Sequence, residues 1–231
     1  MRFKPHCRLT RQIQSILFMT VLLLGVGVRS ASADEIAVWN FNDSDLVVDH
    51  GSGTLVTNFV AANVLFAAGT TNNARLGDIA GQALSLQGGT GTTNNGRNIT
   101  LNVSTLGFTN IIVSLATQGT STGFNLNQFQ YSLDGITFTD FGAPFVPATA
   151  FGTTPIVFTL SSIVGLNNNS NAAFRIVFNG ATSSTGNNRI DNLVVEGTAA
   201  PDTAIPEPST ALLLISGITG LVLKRKKRKA A

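Results

Sequence analysis

The chain has 231 residues, with 15 lysines and arginines against 12 acidic residues, a formal net charge of +3. That sum hides a segregation: residues 34–209 hold all 12 acids, no lysine and only Arg75, Arg97, Arg175 and Arg189, so this stretch carries −8. A nucleic-acid surface needs clustered Lys and Arg to displace counterions, so the composition excludes one here. The single cysteine, Cys7, lies near the N-terminus, which excludes disulfides, thiol nucleophiles and cysteine metal sets from the rest of the chain.

In chain order, the first element reads as an export leader. Residues 1–11 carry Arg2, Lys4, Arg8 and Arg11 and no acid; an apolar run follows from Ile16 to Val28, then Ala31-Ser32-Ala33. A basic head, an apolar stretch and small residues at the cleavage positions form the three-part pattern that signal peptidase reads. The expected cleavage follows Ala33, with Ala31 and Ala33 as the recognised small residues. The apolar run of about 13 residues is short for a permanent span, which needs about 20.

From Asp34 onward the chain is rich in Thr, Asn, Gly, Ser, Val, Ile and Phe, a composition that favours strands over helices. Alternating runs predict strands at Glu35–Phe41 (Ile36 and Val38 on one face, Trp39 and Phe41 on the other) and at Asn98–Val103 (Ile99, Leu101 and Val103 inside). Further strands are predicted at Asn110–Thr117 (Ile111, Val113 and Leu115 inside, Ser114 and Ala116 opposite) and at Gln128–Leu133 (Phe129, Tyr131 and Leu133 inside). Asp134-Gly135 then signals a two-residue hairpin, with a return strand Ile136–Phe141 that places Ile136 and Phe138 inside. Pro155–Leu160, Ala172–Phe178 and Arg189–Gly197 complete the set, and Ser161–Leu166 is expected to make one short helical turn. No segment has a helical period. The predicted fold is all-β: a two-sheet antiparallel β-sandwich of jelly-roll type with roughly eight to ten strands, flanked by an N-terminal signal helix and a C-terminal hydrophobic helix.

Between the strands lie polar stretches: Thr70–Asn73, Gly88–Gly96, Asn167–Asn171 and Thr182–Asn188. Their Asn side chains either bond sugar hydroxyls at a sandwich edge or simply form solvated turns, the latter being the commoner case. Catalytic signals are sparse. His50 is the one histidine after the leader, set in a Val-Val-Asp-His-Gly-Ser-Gly turn that reads as surface, and no Gly-x-Ser-x-Gly occurs. No motif names a facing carboxylate pair of the kind glycosidases use. Asp43, Asp45 and Asp49 make an acidic cluster whose hard oxygens suit calcium, though without EF-hand spacing; they are the candidate calcium ligands, and no other cofactor is expected. Asp191 reads as structural, paired with Arg189 or capping a turn. Trp39 and Tyr131 are the rings best suited to stacking on a sugar, yet both sit where a core role fits as well.

The chain closes on three features in order: Pro206-Glu207-Pro208, an apolar run Ala211–Leu223, and the basic cluster Lys224, Arg225, Lys226, Lys227, Arg228 and Lys229. The apolar run partitions into a bilayer as a helix, and the basic cluster holds its end on the cytoplasmic side. The stiff Pro-Glu-Pro triplet then lies just outside the membrane. This tail resembles the PEP-CTERM sorting signal of Gram-negative bacteria over about Ile205–Lys229. The resemblance implies recognition of Pro206, Glu207 and Pro208 by an exosortase, an integral-membrane processing enzyme. It also implies a setting in bacteria that make exopolysaccharide and grow in biofilms or flocs. Within the middle region, Phe129–Phe141 and Phe174–Gly197 resemble bacterial jelly-roll modules of the carbohydrate-binding or galactose-binding-like kind, which implies a fold more than an activity.

The expected organisation is therefore a signal peptide at 1–33, a β-sandwich domain at 34–198, a linker at 199–205 and a sorting signal at 206–231. The expected role is that of an exported, non-catalytic protein of the cell envelope, surface or extracellular matrix. Its expected partners are signal peptidase, exosortase, the inner membrane through the C-terminal helix before processing, and exopolysaccharide. The residues leave open an enzyme acting on extracellular polysaccharide and a purely structural or adhesive coat protein.

Overall fold

The computed structural model describes residues 33–200; the leader up to residue 32, with Ala31, and the Pro-Glu-Pro triplet, the apolar run and the basic cluster lie outside the described residues, as do the two flanking helices expected for them, while Ala33 opens the first strand. Among the described residues twelve strands form two antiparallel sheets. They are β1 (Ala33–Trp39), β2 (His50–Gly51), β3 (Thr54–Thr57), β4 (Val64–Ala68), β5 (Gln82–Gln87) and β6 (Arg97–Asn102). The second half adds β7 (Phe108–Gly119), β8 (Leu126–Ser132), β9 (Thr139–Asp140), β10 (Ile156–Thr159), β11 (Ala173–Asn179) and β12 (Asn187–Ala199). The larger sheet runs β10-β7-β12-β1-β2, with β5 also paired to β12 and β4 beyond it; the smaller runs β3-β6-β11-β8-β9. This is the two-sheet jelly-roll sandwich that the alternating runs predict.

The long strand β12 organises the larger sheet. β7 follows it along one side, while on the other side β5 pairs with Asn187–Ile190 and β1 with 193–198. The inner faces of both sheets meet in one core that includes Trp39, Ile111, Val113, Leu193 and Val195 from the larger sheet and Ile99, Leu101, Phe129, Phe174 and Ile176 from the smaller. Phenylalanines supply much of its volume. Phe59, Phe124 and Phe178 meet edge to face with centroids 5.6–5.7 Å apart, and Phe129 stacks on Phe158 at 3.9 Å. Fully burying one such ring stabilises the fold by about 1.5–3 kcal/mol.

Several expectations are corrected. The chain between Ala37 and Gly88 contains β2, β3, β4 and β5, none of which is among the expected strands, although Leu84-Ser85-Leu86 in β5 alternates. A bulge between Glu35 and Ala37 breaks the expected alternation of β1. Ile36 joins Ala37, Trp39 and Phe41 in the core, while Val38 is buried outside that cluster, paired with Val194 and, across β12, level with Ser114 on the outer face of the larger sheet. The hairpin at Asp134-Gly135 is wider than two residues. A two-residue turn would set Tyr131 opposite Phe138, whereas the structure pairs Tyr131 with Thr139 and Gln130 with Asp140. One extra residue moves every following side chain to the other face. Phe141 therefore enters beside Phe129, with ring centroids 6.3 Å apart, and Phe138 turns outward; Ile136 is 83% exposed and Leu133 44%. The expected helical turn near Ser161–Leu166 is a single 3-10 turn, Val164–Leu166.

Candidate functional site

The two sheets present very different outer faces. Over the larger sheet, residues 69–81 form a strap. Asp191 Oδ2 accepts the Thr70 amide at 2.6 Å, and Asp191 Oδ1 accepts the Asn192 amide at 2.9 Å. Asn192 Nδ2 donates to the Thr70 and Asn72 carbonyls at 2.7 and 2.9 Å, leaving its buried Oδ1 without a partner. Asn73 Nδ2 donates back to the Asn192 carbonyl at 2.7 Å and to Ser114 Oγ at 3.0 Å. Further along, Arg75 bridges Glu196 at 3.2 Å and Glu35 at 3.7 Å. Asp191 is thus a structural anchor, as expected, but its partners are the strap and its own strand; Arg189 donates instead to the Ala68 carbonyl at 3.1 Å.

Two carboxylates are shifted upward by burial. Asp191 is 1% exposed, and burial pushes its pKa up to about 7, against the opposing pull of the Thr70 and Asn192 amides. Burial likewise raises Asp49, partly offset by the Asn40 amide, which Asp49 Oδ2 accepts at 2.7 Å. Of the candidate calcium ligands, Asp45 caps the Val47 amide at 2.8 Å and Asp43 adds to the like charge around Asp49. Among the described residues no three His, Cys, Asp or Glu side chains come together as a metal-holding group. His50 is half-buried at the sheet edge, its Nε2 3.3 Å from Asp78 Oδ2.

Among the described residues no such strap covers the smaller sheet. Its outward side chains form rungs fixed by the strand register, the central one being Val56–Thr100–Arg175–Gln130–Asp140. Arg175 Nε donates to Thr100 Oγ1 at 3.1 Å, and Gln130 Nε2 to Asp140 Oδ1 at 2.7 Å. The Phe138 ring lies under the guanidinium, its centroid 3.4 Å from Arg175 Cζ, a cation–π contact that fixes the plane of the charged group. Partial burial pulls the Arg175 pKa down from its ordinary value, but an arginine stays protonated.

One rung further along β6 and β11 the face opens into a cleft of about 440 Å³, whose lining includes Ser52, Thr54, Asn102, Asp134, Ser170 and Asn171. Asn102 Nδ2 donates to Thr54 Oγ1 at 3.2 Å. The loop 133–138 joins the two parts: Asp134 and Gly135 line the cleft and Phe138 lies on the open face. Asp134 shapes that loop, accepting the Ile136 and Thr137 amides at 2.8 and 2.7 Å and the Ser132 hydroxyl at 2.8 Å. These bonds, led by that from the Thr137 amide, hold its carboxyl far below the usual range. Gly135, at φ +76°, takes the left-handed conformation that the turn needs.

Most of the asparagines in the sequence-predicted loops serve the scaffold. Asn94, fully buried, donates to the Gln87 carbonyl at 2.7 Å; Asn188, also buried, donates to the Phe124 carbonyl at 2.9 Å and accepts the Phe124 amide at 3.1 Å. Asn169 ties the Leu133 and Gly165 carbonyls. Of the two candidate stacking rings, Trp39 is fully buried and donates to the Leu46 carbonyl at 3.2 Å, and Tyr131 packs against the core near Phe141. Phe138 is the outward ring that the alternation argument missed. Asn102, inside the predicted strand Asn98–Val103, and Arg175, between the core residues Phe174 and Ile176, are the other missed residues; their outward positions in predicted strands were the available signal.

No protein-family model matches the chain, and no curated protein matches it. Solved structures do. Domain 4 of AbnA, an extracellular arabinanase from Geobacillus stearothermophilus in complex with arabinotriose, aligns at TM-score 0.44 and 15% identity over 73% of this chain and 94% of that one. The CBM22-1 xylan-binding domain from Paenibacillus barcinonensis Xyn10C aligns at TM-score 0.44 and 10% identity over 74% and 99%. The K2 cleaved adhesin domain of Lys-gingipain aligns at TM-score 0.44 and 10% identity over 72% and 98%. At these values the likeness transfers neither a ligand nor a site.

Proposed function

We propose that the chain is an exported, non-catalytic protein of the cell envelope or extracellular matrix whose sandwich binds a polysaccharide along the open face of the smaller sheet. The leader and the Pro-Glu-Pro tail support export and exosortase sorting. The observation that carries the binding reading is the cleft at the end of that face, lined largely by hydroxyl and amide groups and continuous with the Phe138–Arg175 platform. Neutral donors and acceptors match sugar hydroxyls, and a volume of this size suits a short run of sugar units. The cleft carries one carboxylate, Asp134, and that group is spent on its own loop, whereas glycoside hydrolysis in its usual form needs two.

The test is co-sedimentation of the full chain, kept in mild detergent, with exopolysaccharide from the native host, with and without calcium. Saturable binding that Asn102→Ala together with Thr54→Ala weakens by about tenfold, or about 1.4 kcal/mol, supports the reading. Binding untouched by that pair moves the site elsewhere, and no binding leaves a structural or adhesive coat as the better account.

A further inference from the structure

Arg175 stands apart from the other arginines of the sandwich. Arg75 is committed to Glu35 and Glu196, Arg97 donates to the Thr93 and Asn58 carbonyls, and Arg189 to the Ala68 carbonyl. Arg175 bonds Thr100 through Nε alone, and no ion pair among the described residues includes it. Among the described residues its terminal nitrogens have no acceptor. The carboxylate on its rung, Asp140, is two strands away and bonded to Gln130, about 10 Å off by strand spacing.

We propose that this guanidinium receives the carboxylate of an acidic sugar, so that the polymer bound on the open face is a uronate-containing polysaccharide. This rests on the polysaccharide reading above. The arrangement is a docking fork: Phe138 fixes the plane, Thr100 holds Nε, and among the described residues no acceptor takes the two terminal nitrogens. That geometry matches a planar carboxylate through paired hydrogen bonds. A stretch carrying −8 repels polyanions at long range, so an acidic polymer needs a local cation, and this face supplies one. A densely sulfated or phosphorylated polymer would require a cluster of cations that the face lacks. The neutral amides and hydroxyls of the adjoining cleft are then left to read the hydroxyls of the neighbouring sugar units.

The test is titration of the full chain in mild detergent with polygalacturonate, alginate and hyaluronan. Each is compared with its carboxyl-reduced counterpart, and neutral xylan and galactan are included. The expected result is binding to at least one acidic polymer that falls roughly tenfold or more on carboxyl reduction. It should fall similarly in Arg175→Gln, less in Arg175→Lys, which keeps the charge without the fork, and weaken with salt. Thermal melting of each variant separates lost binding from lost folding, and Phe138→Leu, which releases the guanidinium but keeps its charge, gives a second route to the same loss. If reduced or neutral polymers bind as well as acidic ones, or Arg175→Gln binds undiminished, the carboxylate inference is overturned while polysaccharide binding stands. If no polymer binds, both fall together.

Discussion

The outer faces of the two sheets are built from the same alternation of strand residues, yet one is roofed and the other bare. On the roofed face, Asp191, Asn192, Asn73 and Ser114 bond to one another and to the 69–81 strap. On the bare face, Asn102, Gln130 and Arg175 make single bonds to neighbouring side chains and keep capacity for a ligand. Polar composition alone therefore says little about binding. What matters is whether the polar groups are already used by the chain's own backbone.

Removing the anchor of the covered face has the largest expected effect. Asp191→Ala strands the Thr70 amide beneath the strap and leaves a hole beside Gly69. A loss of about 2–4 kcal/mol is expected in denaturant unfolding, from unpaired buried groups and lost packing. Gln130→Ala on the bare face should change stability by less than about 0.5 kcal/mol. Equal losses at the two sites would erase the distinction between the faces.

The next effect is in pH. Asp191 has a folded pKa raised to about 7 against an unfolded value near that of a free carboxyl. The folded state therefore binds the proton more tightly, and this group's contribution to stability is full below about pH 4 and lost as pH rises through 7. Stability measured by denaturant unfolding should fall by on the order of a few kcal/mol between pH 5 and pH 8, with Asp49 adding in the same direction. Asp191→Asn, which cannot titrate, should flatten most of that slope. A slope unchanged in the variant would assign the titration to another group.

These effects also explain what the sequence could and could not convey. Ile99, Leu101 and Val103, or Phe174, Ile176 and Phe178, alternate without interruption, and their burial was legible because a regular strand has only two faces. The strap was not legible, because Thr70–Asn73 is locally indistinguishable from a solvated turn; its partners Asp191 and Asn192 lie about 120 residues away. Arg175 was visible as an outward residue but not as an unpaired one, since pairing depends on Gln130 and Asp140 being neighbours across the sheet. Phe138 was lost for a different reason. The Asp-Gly signal predicts the tightest hairpin, and nothing in the alternation of Phe129–Phe141 shows that the turn takes in one residue more.

That extra residue supplies the smallest and most specific effect. Asp134 gathers the Ile136 and Thr137 amides and so props the loop that brings Phe138 against the Arg175 guanidinium. Because Asp134 is exposed, Asp134→Ala should leave the melting temperature almost unchanged while hydrogen exchange at Ile136 and Thr137 speeds up. With Phe138 less firmly placed, polysaccharide binding should weaken, by roughly threefold to tenfold, with no loss of the fold. Its pH dependence runs opposite to that of Asp191. The folded pKa of Asp134 is depressed, so its contribution is present above the ordinary carboxyl pKa and is lost only as pH falls below that range. Between pH 5 and 8 the loop amides should therefore exchange with constant protection, after correction for intrinsic rates, while the strap amide of Thr70 loses protection toward pH 8. If the two amides instead followed one common pH profile, the strap and the loop would be a single cooperative unit, and the open face would be no more independent of the scaffold than the covered one.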